Sequence, residues 1–288
     1  IGSKFSSYDT LHIFNEFKNY DKVIHKLSRS MLFINGRYQK RYIADFMEIG
    51  ALYLTGAFLF DFVFYNRALK QIQKNIGHIF ELMLLIGEID TAISVASFRQ
   101  SIERYCLPEF HDKAEISYKE LYNPLLDDPI CNDFCLRSGC IITGSNASGK
   151  STFIKAIAIN EILALSIHTC TAKAAEIPAG EIYSSMAIRD DLLAGESYFV
   201  REVKSLRRII RAISSKQLVI AFIDEILRGT NTQERVAASA AILKYLDNKD
   251  CMAIVASHDL ELVDLLKDTH YENFYFCEEP RDGKLIFD

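Results

Sequence analysis

Residues 144–151 read Gly144-Ser145-Asn146-Ala147-Ser148-Gly149-Lys150-Ser151. They fit the pattern G-x-x-x-x-G-K-[ST], with an apolar run before it and an apolar helical stretch after it. The chemistry open to such a loop is anion binding. Its glycines let the backbone curl closely, so that N–H groups point inward at phosphate oxygens. The helix that follows adds the positive end of its dipole. Lys150 is placed to reach β- and γ-phosphates, and Ser151 to hold Mg²⁺.

Two further segments could complete that chemistry. Leu218 to Ile223 is an apolar run ending in Asp224-Glu225. A carboxylate at the end of a buried strand beside a phosphate loop suits a metal, so Asp224 is the candidate Mg²⁺ ligand. Glu225 is then the candidate catalytic base that orients and polarises a water. A third apolar run, Met252–Ala256, ends in Ser257-His258-Asp259. His258 there could sense or hold a γ-phosphate.

These residues need strands and helices to place them. Cys140–Thr143, Leu218–Ile223 and Met252–Ala256 suit strands buried on both faces of a mostly parallel sheet. Helical spacing over about 149–168, 197–214 and 230–247 alternates with them. This predicts an α/β fold. No proline precedes Pro108, and apolar residues there recur at helical spacing. One helix is expected around Leu11–Leu27, and two or three more over 42–66 and 68–104. The expected organisation is an all-α, lever-like segment at 1–107 and an α/β domain at 108–288. Ile49–Phe64 is strongly apolar, but Asp61 interrupts it and Asp45 and Glu48 precede it. A membrane span wants about 20 apolar residues, so a buried bundle helix is expected instead.

The composition bounds the class. The 288 residues are 49% hydrophobic and 25% charged, which excludes a disordered tail, a collagen-like chain and a coiled-coil rod. The net charge of −5 averages a helical part with 13 basic and 10 acidic groups and a remainder with 20 and 28. It therefore neither demands nor excludes a nucleic acid. Seven cysteines without a secretory signal point to free thiols in a reducing cytoplasm. Cys131, Cys135 and Cys140 lack a second cluster, so no zinc site is expected. Arg201, Lys204, Arg207, Arg208 and Arg211 form a basic run, read first as a solvated face and second as a contact to DNA or a partner. The chain opens Ile1-Gly2-Ser3 without Met, which reads as a piece of a longer protein.

The ordered motifs resemble the ATPase domain of the MutS DNA mismatch-repair family, a branch of the ABC-type ATPases. Thr143–Thr152 is similar to that family's TGPNxxGKST. Asp190-Asp191-Leu192-Leu193-Ala194-Gly195 resembles DDLxxG, and Glu196–Glu202 resembles the signature segment xSTFxxE. Asp224–Thr232 resembles DEIGRGTST, and Ala256-Ser257-His258 with Glu261-Leu262 resembles ATHxxEL. Upstream, Gly87-Glu88-Ile89-Asp90 and Leu107-Pro108-Glu109-Phe110 resemble AELD and P-x-F. Some positions depart from the pattern. Ser145 stands where Pro is usual, and Tyr122-Asn123-Pro124 keeps only the Pro of an RHP element. Pro129 occupies the place of an adenine-stacking aromatic, and Glu234-Arg235 stand for Asp-Gly. A transporter subunit would carry an LSGGQ-type signature, which Gly195–Phe199 is not.

The resemblance implies a P-loop, Walker A fold with a mixed, mostly parallel sheet. It implies ATP and Mg²⁺ as cofactors and hydrolysis of ATP to ADP and phosphate. Lys150, Ser151 and Thr152 would bind phosphate and Mg²⁺. Asp224 would support the metal, Glu225 would be catalytic and His258 would be the switch histidine near the γ-phosphate. Ser197 would open the signature helix and touch the nucleotide of the other subunit, with Arg228-Gly229-Thr230 at the dimer interface. The expected protein is an ATP-dependent DNA-binding homodimer, its DNA contacts partly supplied by regions outside this chain. The alternative is an ATP-gated scaffold or membrane-linked regulator that does not read mismatches.

Overall fold

The computed structural model describes residues 20, 25, 60–145, 148–186, 198–214, 217–227, 230–276, 278–281 and 284–287. The chain divides into two compact units, Ile1–Phe98 and Arg99–Asp288. In the first, helix α1 (Phe60–Lys74) is followed by α2 (Ile76–Ser101). The break falls at Asn75, not at 66–68 as the spacing suggests. At Asn75 the N–H is shared between Gln71 O at 3.1 Å and Ile72 O at 3.0 Å, and the side chain also donates to Gln71 O at 2.8 Å, a local tightening of the helix. The helix expected around Leu11–Leu27, and the apolar stretch Ile49–Phe64 up to residue 59, lie outside the described residues. Among the described residues no helix is long and apolar enough to cross a membrane.

The second unit is α/β. A five-stranded sheet has the order β6 (Glu181–Ser185), β7 (Val219–Asp224), β8 (Cys251–Ala256), β4 (Cys140–Gly144), β9 (Glu272–Phe276). All of its neighbours are parallel. A four-stranded sheet has the order β1 (Glu109–His111), β5 (Ala174–Pro178), β2 (Ile116–Leu121), β3 (Asn132–Leu136), with β2 antiparallel to both neighbours. Strands β10 (Glu278–Arg281) and β11 (Lys284–Phe287) form a separate antiparallel pair.

Alternation along the central strands splits the core in two. Cys140, Ile142, Ile220, Phe222 and Ile254 face helix α3 (Lys150–Ile167) and the four-stranded sheet. Ile141, Ala221, Ile223, Ala253 and Val255 face α4 (Tyr198–Ala212) and α5 (Thr232–Asp247). Being covered on both faces explains the continuous apolar runs of β4, β7 and β8. The short helix α6 (Leu260–Leu265) follows β8.

Helix α3 is enclosed almost all round, which buries two polar side chains. Asn160 donates to Ala156 O at 2.9 Å and Thr171 Oγ1 at 2.9 Å, and its Oδ1 accepts from the Thr171 N–H. Glu161 accepts from the Tyr118 hydroxyl at 2.9 Å, while its Oε2 has no hydrogen-bond partner among the described residues. Burial pushes the Glu161 carboxyl up to about 8, against the opposing pull of that hydrogen bond.

A folded-state value above the unfolded one means that the folded protein keeps a proton the unfolded chain has released. Glu161 therefore costs stability as pH rises from its ordinary value of 4.5 to about 8, at about 1.4 kcal/mol per pH unit. Glu161→Gln keeps the acceptor for Tyr118 and removes the ionisation. Thermal melts at pH 5 and pH 8 are expected to show a variant Tm above that of the native chain at pH 8, by about 3 °C or more, and little difference at pH 5. A lower variant Tm at pH 8 contradicts this.

Candidate functional site

Strands β7, β8 and β4 are adjacent and parallel, so their carboxyl ends open at one edge of one sheet. In such sheets that edge is where ligands bind. The ladder continues past the strand ends. Glu225 N–H donates to Ala256 O at 3.0 Å, and Ser257 N–H donates to Ile142 O at 3.0 Å. The three segments singled out by residue type are thereby tied together.

The loop after β4 begins at Gly144 with φ +144° and ends at Gly149 with φ 91°, the N-cap of α3. A side chain at Gly144 would collide with the carbonyl of Phe276. Ser148 is buried, and its hydroxyl closes the turn by donating to Ser145 O at 2.9 Å. Asn146 and Ala147 lie outside the described residues.

Lys150 is folded into this loop and only 5% exposed. Its Nζ donates to Gly144 O at 2.7 Å and to Ser145 O. Burial pulls the amine below the usual lysine value, and the carboxylates of Glu225 and Asp224 oppose that pull. A desolvated ammonium resting on neutral carbonyls is a site suited to an anion.

The next residue reaches across to β7: Ser151 Oγ donates to Asp224 Oδ1 at 2.9 Å. A hydroxyl and a carboxylate in contact beside this glycine-rich loop are hard-oxygen donors of the kind that could hold Mg²⁺. Glu225 follows, buried, with φ 59°. A non-glycine residue in the left-handed region is strained, and such strain gathers at functional sites. Its Oε1 lies 3.0 Å from His258 Nδ1. Thr152 lies in the first turn of α3. It lines a cleft of about 220 Å³ together with Ser148, Gly149, Asn123, Ile130 and Phe276.

The structure thus brings Gly144, Ser145, Ser148, Gly149, Lys150, Ser151, Thr152, Asp224, Glu225 and His258 to one region. Ser197, Arg228 and Gly229 lie outside the described residues. Cys140 is buried in β4, while Cys131 and Cys135 are exposed. Among the described residues no group of three His, Cys, Asp or Glu is placed to hold a metal by itself.

Two further residues support the site. Glu202 of α4 is 1% exposed and accepts the N–H of Leu227. Leu227 has φ 58° and stands where the related DEIGRGTST pattern has Gly, so Glu202 holds a strained loop directly after Glu225. The sequence marks it twice: Glu202 is the closing Glu of the segment that resembles xSTFxxE, and it shares the i, i+4, i+7 face with Leu206 and Ile209. Arg235 is the second, reaching Asp259 from the first turn of α5 with Nη2–Oδ1 at 2.7 Å.

Residues 140–287 match the family model of MutS domain V. The chain is 30% identical over 239 residues to the DNA mismatch repair protein MutS of Lactobacillus delbrueckii subsp. bulgaricus, covering 79% of this chain and 28% of that relative. It is 31% identical over 231 residues to the DNA mismatch repair protein MutS of Fusobacterium nucleatum, covering 75% and 26%. It is 31% identical over 221 residues to human MutS protein homolog 4, covering 73% and 23%. The chain spans about a quarter of the length of these curated relatives. With more than half of its length matched, and the matched segment carrying the loop, β7 and β8, the chain belongs to the MutS family of DNA mismatch-repair proteins.

Proposed function

We propose that residues 108–288 form a P-loop ATPase of the ABC type that binds ATP with Mg²⁺ and hydrolyses it to ADP and phosphate. The observation that carries this is the convergence of Lys150, the Ser151–Asp224 contact and the Glu225–His258 contact at the ends of three parallel strands. The phosphates take the place of the carbonyls that now hold Lys150, with the loop's N–H groups and the start of α3 around them. Mg²⁺, held by Ser151 and Asp224, supplies neutralisation of charge on the phosphate oxygens. Glu225 accepts a proton from the attacking water as its oxygen bonds to the γ-phosphorus. The bond from that phosphorus to the β–γ bridging oxygen breaks, and ADP departs with the electron pair. The cleft bounded by Asn123, Ile130 and Phe276 takes the base, although Pro129 stands where a stacking aromatic is expected.

In this reading ATP closes a homodimer with composite sites, Ser197 serving the partner's nucleotide, and hydrolysis reopens it. The helical residues 1–107 carry the movement to DNA. A DNA contact is favoured by the stripe on α4. Arg201, Lys204, Arg207, Arg208 and Arg211 fall within about 120° of arc on a helix of 3.6 residues per turn. The last four border an open groove of about 460 Å³ with Tyr183.

Glu225→Gln is expected to lower steady-state Mg²⁺-dependent ATPase turnover by about 10²-fold or more while nucleotide binding persists. Unchanged turnover, or loss of binding in that variant, contradicts the assignment. In the full-length protein, duplex DNA affinity is expected to fall linearly with the logarithm of salt. Charge reversal at Arg207 and Arg211 together should flatten the slope by about 2. No affinity at low salt for duplex, mismatched or branched DNA, or an unchanged slope, contradicts the DNA contact.

A further inference from the structure

The Glu225–His258 pair is the middle of a longer chain of contacts. Arg235 Nε donates to Asp259 Oδ2 at 2.9 Å and Nη2 to Oδ1 at 2.7 Å, with the two side chains only 12% and 13% exposed. This is the two-pronged geometry that suits a guanidinium on a carboxylate. It leaves Nη2 3.3 Å from His258 Nε2, and His258 Nδ1 is 3.0 Å from Glu225 Oε1.

We infer that Arg235, anchored on Asp259, is a positioning residue for the catalytic pair: it fixes His258 as the neutral imidazole that carries its proton on Nδ1 and gives it to Glu225 as a hydrogen bond. This rests on the reading of Glu225 as the general base. A guanidinium has only N–H donors and no acceptor. Facing it, His258 Nε2 is the acceptor; Asp259 Oδ1, 3.6 Å from the same nitrogen, is taken up by the guanidinium, so the ring's one proton sits on Nδ1. That proton is aimed at Glu225 Oε1, and one carboxylate oxygen is held in a fixed direction. Asp259 keeps the guanidinium from swinging away, and the Arg235 hydrogen bonds hold the Asp259 carboxyl below the usual carboxylate range.

The assignment is specific to this chain's residues. Arg235 occupies the second position of the pair Glu234-Arg235, where the related motif carries Asp-Gly. A glycine there has no side chain to reach Asp259 or His258. Here the first turn of α5, whose N-cap Asn231 accepts from Gln233 N–H, places an arginine over both.

Two measurements test this on the native chain and on Arg235→Leu. The first is the long-range ¹H–¹⁵N spectrum of the imidazoles, with the His258 signal assigned by its loss in His258→Gln. The native protein should show Nδ1–H with Nε2 unprotonated, and in Arg235→Leu Nε2 should gain a proton beside Nδ1–H, because the freed Asp259 carboxylate lies 3.6 Å from it. The second is ATPase kinetics. Arg235→Leu should lower kcat by about 10- to 100-fold, the cost of removing a group that orients a histidine ligand, with KM changed less than about twofold. Arg235→Lys, a point charge without the fork, should recover only part of that loss. If Arg235→Leu does not fold, Asp259→Asn keeps the cation, loosens its anchor and should lower kcat in the same direction, with KM changed less than about twofold. A proton on Nε2 in the native protein overturns the inference. So does an unchanged kcat in Arg235→Leu when Glu225→Gln is inactive. Normal turnover by Glu225→Gln overturns the parent reading instead, and the tautomer measurement still judges the role of Arg235.

Discussion

The parallel pairing of β7, β8 and β4 is the constraint on which the site depends. Ile142 and Asp224 both stand opposite Ala256 in the register, so the three chain reversals begin at the same level. Hydrogen bonds from the N–H groups of Glu225 and Ser257 carry the ladder one step beyond the strands. A slip of one residue in β7 would send Asp224 to the other face of the sheet and break its contact with Ser151. With both faces apolar, the register is held by the close fit of each set of side chains to its own layer rather than by polarity.

Around that edge the structure concentrates features that are costly elsewhere. A lysine is desolvated, a carboxylate is buried beside it, and two non-glycine residues take left-handed backbone angles. Each is held by a neighbour. Gly144 and Ser145 carbonyls hold Lys150, His258 holds Glu225, and Glu202 holds Leu227. The Glu202 contact also links α4 to the loop that follows Glu225. A movement of α4 would be felt at Glu225 through a hydrogen bond and two strained residues.

Much of this is legible in the residues themselves. The buried strands announce themselves as continuous apolar runs, and the loop by a glycine spacing that chance seldom produces beside a strand and a helix. The helices at Lys150–Ile167, Tyr198–Ala212 and Thr232–Asp247 fall within the expected spans. The four-stranded sheet is not legible. Its strands are short, and β2 carries polar residues such as Lys119 and Glu120 between apolar ones. The turn at Asn75 is hidden because apolar spacing and backbone hydrogen bonds both run on through it. Arg235 and Asp259 are hidden for a different reason: they lie 24 positions apart, and nothing in either segment points to the other.

The central claim is that Ser151 and Asp224 hold the metal that accompanies a nucleotide on Lys150. Its most direct test is calorimetric titration of a non-hydrolysable ATP analogue, with and without Mg²⁺, into the native chain and Asp224→Asn. The account predicts tighter binding with Mg²⁺ in the native chain. It also predicts that Asp224→Asn removes most of that gain while Mg²⁺-free binding persists. An Mg²⁺ gain undiminished in Asp224→Asn would contradict it.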